Sequence, residues 1–161
     1  MKLKFFTTGG TIDKVYFDAK SEFEVGPPQV SELLNDANVT FEYAVASILR
    51  KDSLDLTEAD RALIREQVAA DPATRIVVTH GTDTMILTAL ALKDIPGKTI
   101  VLTGSMQPAR LRVTDAAFNL GTAVAAVQTL SPGVYIAMNG RIFNPETSRK
   151  NVASHRFEEL A

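Results

Sequence analysis

The chain has 161 residues, of which 45% are hydrophobic and 22% charged, and its formal net charge is −2. These values are typical of a soluble globular protein, and the length suits one domain with a substantial core. Because there is no cysteine, disulfides, thiolate catalysis and cysteine-ligated zinc are excluded. The absence of a basic run argues against nucleic acid and an anionic membrane surface as partners. No apolar stretch approaches the roughly 20 residues of a membrane span, and the apolar start is too short for a signal peptide, so we expect a cytoplasmic location.

The amino-terminal part of the sequence predicts two strands separated by a long connection and a short helix. Residues 3–7 form an apolar run that indicates a buried first strand. Residues 13–26 show no clear periodicity and follow a glycine-rich turn directly, so we interpret them as a mobile lid. Two prolines open a short helix over residues 29–36, and residues 41–49 indicate the second strand.

The next segment predicts a helix that begins at Thr57 and runs to about residue 70. Thr57 suits the N-cap position, with Asp60 at the third helical position. By helical periodicity, the apolar stripe is expected to consist of Leu63, Ile64 and Val68, and the solvent-facing side of Arg61, Arg65 and Glu66.

The second half continues the alternation of strands and helices. Strands are predicted over residues 75–79, 99–103 and 134–138. A helix over residues 85–92 is apolar almost all round, which favours burial on more than one side. A helix rich in small residues follows Thr114 or Asp115 and ends near residue 128. In the polar tail, residues 141–143 and 151–153 are interpreted as a final hairpin around residues 144–146.

Five successive strand–helix alternations predict an α/β fold. The expected architecture is three-layered and doubly wound, with a mostly parallel, flavodoxin-like sheet covered on both faces and a C-terminal hairpin or extended tail. No linker or repeat is found, so residues 1–161 are expected to form a single domain.

Two threonine-bearing stretches each follow a predicted strand. The first is Thr7-Thr8-Gly9-Gly10-Thr11-Ile12-Asp13, and the second is Val77-Val78-Thr79-His80-Gly81-Thr82-Asp83-Thr84. Ligands bind at the carboxyl ends of the strands in parallel α/β sheets. Glycine lets the backbone approach a ligand closely, and hydroxyl groups are potential nucleophiles or hydrogen-bonding groups. These loops therefore predict one shared pocket.

The same stretches resemble a known family. Thr8-Gly9-Gly10-Thr11-Ile12 and Thr79-His80-Gly81-Thr82-Asp83-Thr84-Met85 are similar to the two signature motifs of the bacterial-type L-asparaginases. The resemblance extends through residues 101–108, 115–120 and 138–140. The usual family member is about twice as long and carries a smaller carboxy-terminal domain. This chain resembles the short-chain, single-domain type, which implies the fold of the asparaginase N-terminal domain and no small C-terminal domain.

The resemblance implies a set of site residues. Thr11 matches the threonine that attacks the side-chain amide, Thr82 and Asp83 match the second threonine and the aspartate, and Lys150 is our choice for the lysine of that cluster. Lys150 is preferred to Arg149 because arginine stays protonated, whereas burial can tune a lysine. The implied catalytic residues are Thr11, Tyr16, Thr82, Asp83 and Lys150. The implied substrate-binding residues are Gly10, Asp52, Ser53, Gly81, Thr82 and Asp83, with no metal ligand.

The chain departs from the long-chain pattern at two places. Phe23 stands where long-chain enzymes have an active-site tyrosine, and Tyr16 is the available substitute. Arg50-Lys51 stands where they have a Ser-Gln pair, so Ser53 is expected to bind the substrate carboxylate, with added charge from Lys51. A threonine nucleophile needs a base within about 2.6–3.2 Å. Tyr16 and the Thr82–Lys150 pair are both candidates, and the sequence leaves the choice open.

The resemblance implies an L-asparagine amidohydrolase that needs no cofactor or metal. The alternative is a catalytically weak or inactive domain that binds an amino acid as a sensor. A flavodoxin-like nucleotide binder is disfavoured because no phosphate-loop or Gly-x-Gly-x-x-Gly motif is present. Family members assemble as homo-oligomers, so a homodimer or homotetramer is expected, with the helices over residues 85–92 and after Asp115 as candidate interfaces.

Overall fold

The computed structural model describes residues 1–160. Along the chain, the strands are β1 (Lys2–Gly9), β2 (Lys14–Phe17), β3 (Glu22–Val25), β4 (Glu42–Lys51), β5 (Arg75–Thr79), β6 (Thr99–Thr103), β7 (Gly133–Met138), β8 (Arg141–Phe143), β9 (Ser148–Asn151) and β10 (Arg156–Glu159). The helices are α1 (Val30–Asp36), α2 (Glu58–Ala70), α3 (Met85–Leu92) and α4 (Ala116–Thr129).

Six of the strands form one sheet in the order β4-β1-β5-β6-β7-β8. The first five are parallel, and β8 runs antiparallel to β7 at the edge. Counting only the parallel strands in chain order, the arrangement is 2-1-3-4-5, which is the flavodoxin-like order. The predicted doubly wound α/β fold is therefore confirmed.

Helices cover both faces of this sheet and enclose two separate cores. On one face, α2 and α3 contribute Ile64, Val68, Met85 and Leu92 to a cluster with the side chains of the strands. On the other face, α1 and α4 contribute Val30, Leu34, Leu120 and Val127. The adjacent residues Phe5 and Phe6 of β1 are both buried but on opposite faces of the sheet. Phe5 belongs to the second cluster and Phe6 to the first.

The helix α3 is buried on one side only. Met85, Thr88, Ala89 and Leu92 are buried, whereas Leu87 and Leu90 keep 52% and 38% of their surface exposed. Within residues 1–160, no helix is long and apolar enough to cross a membrane.

The helix α2 begins as predicted, but the residues on its buried face differ from those predicted. Thr57 and Asp60 form a reciprocal capping box at its start. The expectation that Arg61 faces water is wrong, because this side chain is 6% exposed and its guanidinium donates to the carbonyl oxygen of Leu56. Leu63, expected on the apolar stripe, is 38% exposed. The buried face of α2 therefore consists of Arg61, Ile64 and Val68, and Leu63 lies outside it.

The predicted lid, residues 13–26, is a β-hairpin in which β2 pairs antiparallel with β3. The rings of Tyr16 and Phe23 lie opposite each other, with centroids 5.5 Å apart. Such aromatic cross-strand pairs stabilise hairpins, so these residues form regular structure although their sequence shows no clear periodicity. The proposed mobility of this segment stays a prediction.

The predicted terminal hairpin is displaced. Residues 141–143 form β8, which pairs with β7 rather than with residues 151–153, and the closing hairpin consists of β9 and β10. Asn139 and Gly140, with φ angles of 54° and 73°, join β7 to β8. Two left-handed residues between antiparallel strands are typical of a type I′ turn, for which Asn-Gly is the preferred sequence. That dipeptide was the sequence signal that pointed to the true pairing.

Candidate active site

The glycines of the two motif loops touch at the point where the strand order reverses. Gly10 follows β1 and Gly81 follows β5, and a methyl group on Gly10 would overlap the backbone nitrogen of Gly81. Gly10 has a φ of 87°, a conformation that favours glycine. Thr11 and Thr82 each follow one of these glycines. The neighbouring strands β1 and β5 flank the switch point, where ligands bind in sheets of this order.

Ser53 packs against the same contact. A methyl group on Gly81 would lie 2.6 Å from Cβ and Oγ of Ser53, so only glycine fits there. The hydroxyl of Thr84 donates to the carbonyl oxygen of Ser53 at 2.8 Å and fastens this loop to the second motif. The Oγ atom of Ser53 is buried and has no hydrogen-bond partner within residues 1–160. A buried hydroxyl without a partner is uncommon in folded proteins and calls for an explanation.

Lys150 reaches the second motif from strand β9. Its Nζ atom lies 2.8 Å from Oγ1 of Thr82 and 2.6 Å from Oδ1 of Asp83. The lysine side chain is only 12% exposed, while that of Asp83 is 36% exposed. The structure thus brings together three of the predicted catalytic residues, Thr82, Asp83 and Lys150.

Tyr16 and Asp52 make other contacts. Tyr16 is 53% exposed and packs edge to face on Phe23 in the hairpin. Asp52 lies 2.7 Å from Nζ of Lys14 at the base of the same hairpin and accepts a hydrogen bond from the backbone of Leu54. Partial burial opposes ionisation of Asp52, but the contacts with Lys14 and Leu54 outweigh it and hold its pKa below the ordinary value. Asp52 therefore joins the hairpin to the Ser53 loop.

The Lys51 side chain forms an ion pair outside the motif loops. Its Nζ atom lies 2.9 Å from the carboxylate of Asp60 in the cap of α2. The suggestion that Lys51 adds charge for a substrate carboxylate stays a prediction, and this ion pair would reduce such a contribution. Its backbone does take part, since its carbonyl oxygen accepts a hydrogen bond from the N–H of Gly10 at 2.9 Å.

Sequence reasoning missed Asp13, which is 1% exposed and follows Thr11 by two residues. Burial raises the pKa of Asp13 to about 6, although the amide of Gln29 and the charge of Arg50 act in the opposite direction. The N–H of Gln29 donates to Oδ1 of Asp13 at 2.9 Å, and Nε of Arg110 donates to Oε1 of Gln29 at 2.8 Å. This network holds the base of the hairpin against the loop that follows β6. An acidic residue directly after a glycine-threonine turn was the available signal.

His80 supports the second motif from within the core. Its Nδ1 atom donates to the carbonyl oxygen of Gly81 at 2.6 Å, so Nε2 is the acceptor for the hydroxyl of Thr88 at 2.7 Å. Burial lowers the pKa of His80 to about 4 and keeps the ring neutral. The side chain is fully buried, and its two ring contacts give it a structural role in the second motif. Within residues 1–160, no three acidic or histidine side chains meet in a group that could hold a metal ion.

Comparisons with known proteins agree with this fold. The family model for the asparaginase N-terminal domain matches residues 2–158. The chain is 34% identical over 138 residues to a glutaminase-asparaginase of Acinetobacter glutaminasificans, covering 81% of this chain and 40% of that protein. It is 36% identical over 118 residues to one subunit of the glutamyl-tRNA(Gln) amidotransferase of Methanococcus vannielii, covering 70% of this chain and 27% of that protein.

A solved structure shows the same architecture. The thermostable L-asparaginase from Thermococcus kodakarensis superimposes with a TM-score of 0.84 and 30% sequence identity, covering 99% of this chain and 51% of that one. The chain thus spans about half the length of that structure, and less of the two relatives. The expectation that residues 1–161 form a single catalytic domain stays a prediction. The motif resemblance is confirmed, and the chain belongs to the asparaginase family, matching the N-terminal domain of its members.

Proposed function

We propose that this chain hydrolyses the side-chain amide of L-asparagine to L-aspartate and ammonia. The observation that carries the proposal is the contact between Gly10 and Gly81, because it sets Thr11 and Thr82 on touching loops at the switch point of the sheet. Membership of the asparaginase family supports amide hydrolysis as the reaction class.

The proposed reaction passes through an acyl-enzyme on Thr11. The Oγ1 atom attacks the amide carbon, its proton passes through a base to the amide nitrogen, and ammonia leaves. Water then attacks the resulting ester, which releases aspartate and restores the hydroxyl. Backbone N–H groups of the glycine turns other than that of Gly10, which donates to Lys51, are proposed to stabilise the tetrahedral oxyanion, a contribution of about 3 kcal/mol per donor.

Two groups remain candidates for the base. Lys150 is favoured by its 2.8 Å contact with Thr82, but it must first lose a proton, since an ammonium group only donates hydrogen bonds. Tyr16 stands on the hairpin that follows Thr11 and is exposed, so its hydroxyl can act only if the hairpin closes over bound substrate. If Lys150 is the base, replacing Lys150 should inactivate the protein; if Tyr16 is the base, replacing Tyr16 should do so.

Substrate recognition is assigned to the remaining site groups. The carboxylate of Asp83 suits the ammonium group of asparagine, and the unpaired Oγ of Ser53 suits its carboxylate. Because Lys14 already neutralises Asp52, Asp52 is proposed to hold the Ser53 loop rather than to bind substrate through its charge. This revises the role expected for Asp52.

A sensor that binds an amino acid without turnover is the second candidate. The ion pair between Lys150 and Asp83 favours it, because the carboxylate proposed for substrate already has an internal cation. A ligand ammonium that replaces Lys150 at Asp83 would report binding without any bond being broken.

Ammonia release from L-asparagine, with L-glutamine in parallel, tests the proposal. The wild type should release ammonia from asparagine, and Thr11→Ala should abolish release while the circular dichroism spectrum stays unchanged. Thr122→Ala, which removes an exposed helical hydroxyl that donates to Phe118, should behave as the wild type. Calorimetric binding of asparagine without ammonia release would instead support the sensor.

We also propose that the protein forms a homodimer or homotetramer. The exposed Leu87 and Leu90 on α3 offer an apolar surface for it. Light scattering at micromolar concentration should give a multiple of the chain mass, and a monomer would contradict the proposal. Cytoplasmic location stays a prediction.

A further inference from the structure

Asn139 links the end of β7 to the hairpin that carries Lys150. It occupies a left-handed position with φ 54°, directly after the last parallel strand of the sheet. Its side-chain oxygen accepts a hydrogen bond from the backbone N–H of Phe157 at 2.9 Å. A residue of the turn between β7 and β8 therefore holds β10 by a single directed bond.

The register of the hairpin connects this bond to Lys150. Phe157 lies directly opposite Lys150 in the β9–β10 pair. Because the N–H of Phe157 points to Asn139, it is not shared with β9, and the two residues form a non-hydrogen-bonded pair. In such pairs the side chains lie close together on one face. Phe157 is 3% exposed and packs against Phe143, so the face that is buried through Phe157 is also the face that presents Lys150.

A second asparagine fixes the position of the first. Oδ1 of Asn119 accepts from the backbone N–H of Asn139 at 3.2 Å, while its Nδ2 donates to the carbonyl oxygen of Gly104 at 3.0 Å. Gly104 in turn lies so close to His80 that a methyl group on it would overlap the carbonyl oxygen of His80. Asn119 thus holds the backbone of Asn139 in a fixed position relative to the loops beside the second motif.

We propose that Asn139 is a positioning residue that sets the distance from Lys150 to Thr82 and Asp83. This inference rests on the proposed function. The hydrogen bond to Phe157 fixes the hairpin along its length, the packing of Phe157 fixes its rotation, and Lys150 is then delivered 2.8 Å from the Thr82 hydroxyl. Without this hydrogen bond, the buried side chain of Phe157 would still hold the hairpin on the core. The position of the hairpin relative to Thr82 and Asp83 would then vary.

Two variants separate this role from folding. Asn139→Gly keeps the left-handed backbone conformation, since Gly-Gly also forms type I′ turns, but removes the acceptor. Asn139→Asp keeps both the conformation and an acceptor oxygen. We expect Asn139→Gly to lower kcat for ammonia release by about 10- to 100-fold, the range set by small misplacements of a catalytic group. Asn139→Asp should restore kcat.

Amide hydrogen exchange provides a readout that does not depend on activity. Exchange over residues 148–159 should quicken in Asn139→Gly and return to the wild-type rate in Asn139→Asp. Unchanged exchange in the glycine variant would overturn the inference, as would a loosened hairpin with unchanged kcat. If the wild type releases no ammonia from either substrate, the proposed function and the catalytic part of this inference fall together, while exchange still decides whether Asn139 docks the hairpin.

Discussion

The side-chain nitrogen of Lys150 lies 2.8 Å from the hydroxyl of Thr82, although 68 positions separate the two residues in the chain. Thr82 lies just beyond the end of a central parallel strand, whereas Lys150 belongs to a peripheral two-stranded hairpin. The proposed catalytic cluster is therefore complete only when the hairpin of β9 and β10 has packed against the rest of the chain.

Replacing Lys150 with methionine should strongly lower the rate of ammonia release. The change keeps the unbranched apolar stem and removes the nitrogen that contacts Thr82 and Asp83. A positioned acid or base contributes about 100-fold or more, so we expect kcat to fall by at least that factor in a steady-state ammonia assay. Arg149→Met is the matched control, because Arg149 is exposed and pairs with Glu158 within the hairpin. Equal activity in the two variants would exclude Lys150 from the chemistry.

Replacing Tyr16 with phenylalanine tests the other candidate base. The ring can keep its packing on Phe23, so the hydroxyl alone is lost. If Tyr16 takes part in proton transfer, kcat should fall by about 100-fold. Tyr135→Phe, which removes a hydroxyl that donates to Ser131 far along the chain, serves as the control. Wild-type kinetics in Tyr16→Phe, together with an inactive Lys150→Met, would assign the base to the lysine.

Alanine in place of Gly81 should damage the site more than the fold. The added methyl would lie 2.6 Å from Oγ of Ser53, so it would push the Ser53 loop away or fill the space proposed for the substrate carboxylate. We expect KM for asparagine to rise at least tenfold. Gly121→Ala is the control, because a methyl there meets nothing within 4 Å, and alanine in a helix interior stabilises by about 0.5–1 kcal/mol relative to glycine. Thermal unfolding and the ammonia assay measure both effects.

The central elements could be predicted because the sequence marks both of their ends. The strands over residues 75–79 and 99–103 and the helix over residues 85–92 have the bounds predicted for them. Each is an apolar run enclosed by proline, glycine or polar residues, and in the two strands burial on both faces makes the apolar pattern continuous. The meeting of Gly10 and Gly81 followed from the same reasoning, since parallel strands place their loops at one edge.

The polar contacts around the candidate site could not be predicted from these sequence patterns. Arg61 is buried because the carbonyl of Leu56 receives it, and helical periodicity carries no information about that acceptor. Asp13 is enclosed by groups 16 or more positions away, through Gln29 and then Arg110. These relations depend on packing between elements, so a single sequence does not encode them in a readable local signal.

Asp13 should make the folded protein more stable at acidic pH than it would otherwise be. Its pKa is about 6 in the folded chain and 3.8 ordinarily, so the folded state binds the proton more tightly. The resulting stabilisation is fully present below pH 4 and is lost as pH rises through 6, a difference of about 3 kcal/mol. Asp13→Asn keeps an acceptor for the amide of Gln29 and does not ionise. Relative to the wild type, the free energy of unfolding of this variant in urea should therefore gain about 2.4 kcal/mol between pH 4 and pH 7.5.

His80 should have the opposite effect over nearly the same range. Its pKa is about 4 when folded and 6.5 ordinarily, so the stability that it contributes is present above pH 6.5 and is lost as pH falls through 4. Between pH 4 and 6 the effects of Asp13 and His80 therefore oppose each other, and the wild-type profile conceals both. In Asp13→Asn, the free energy of unfolding should fall more steeply on acidification than in the wild type, and in His80→Gln less steeply. Parallel profiles in all three proteins would show that neither group is buried in the ionisation state assigned to it.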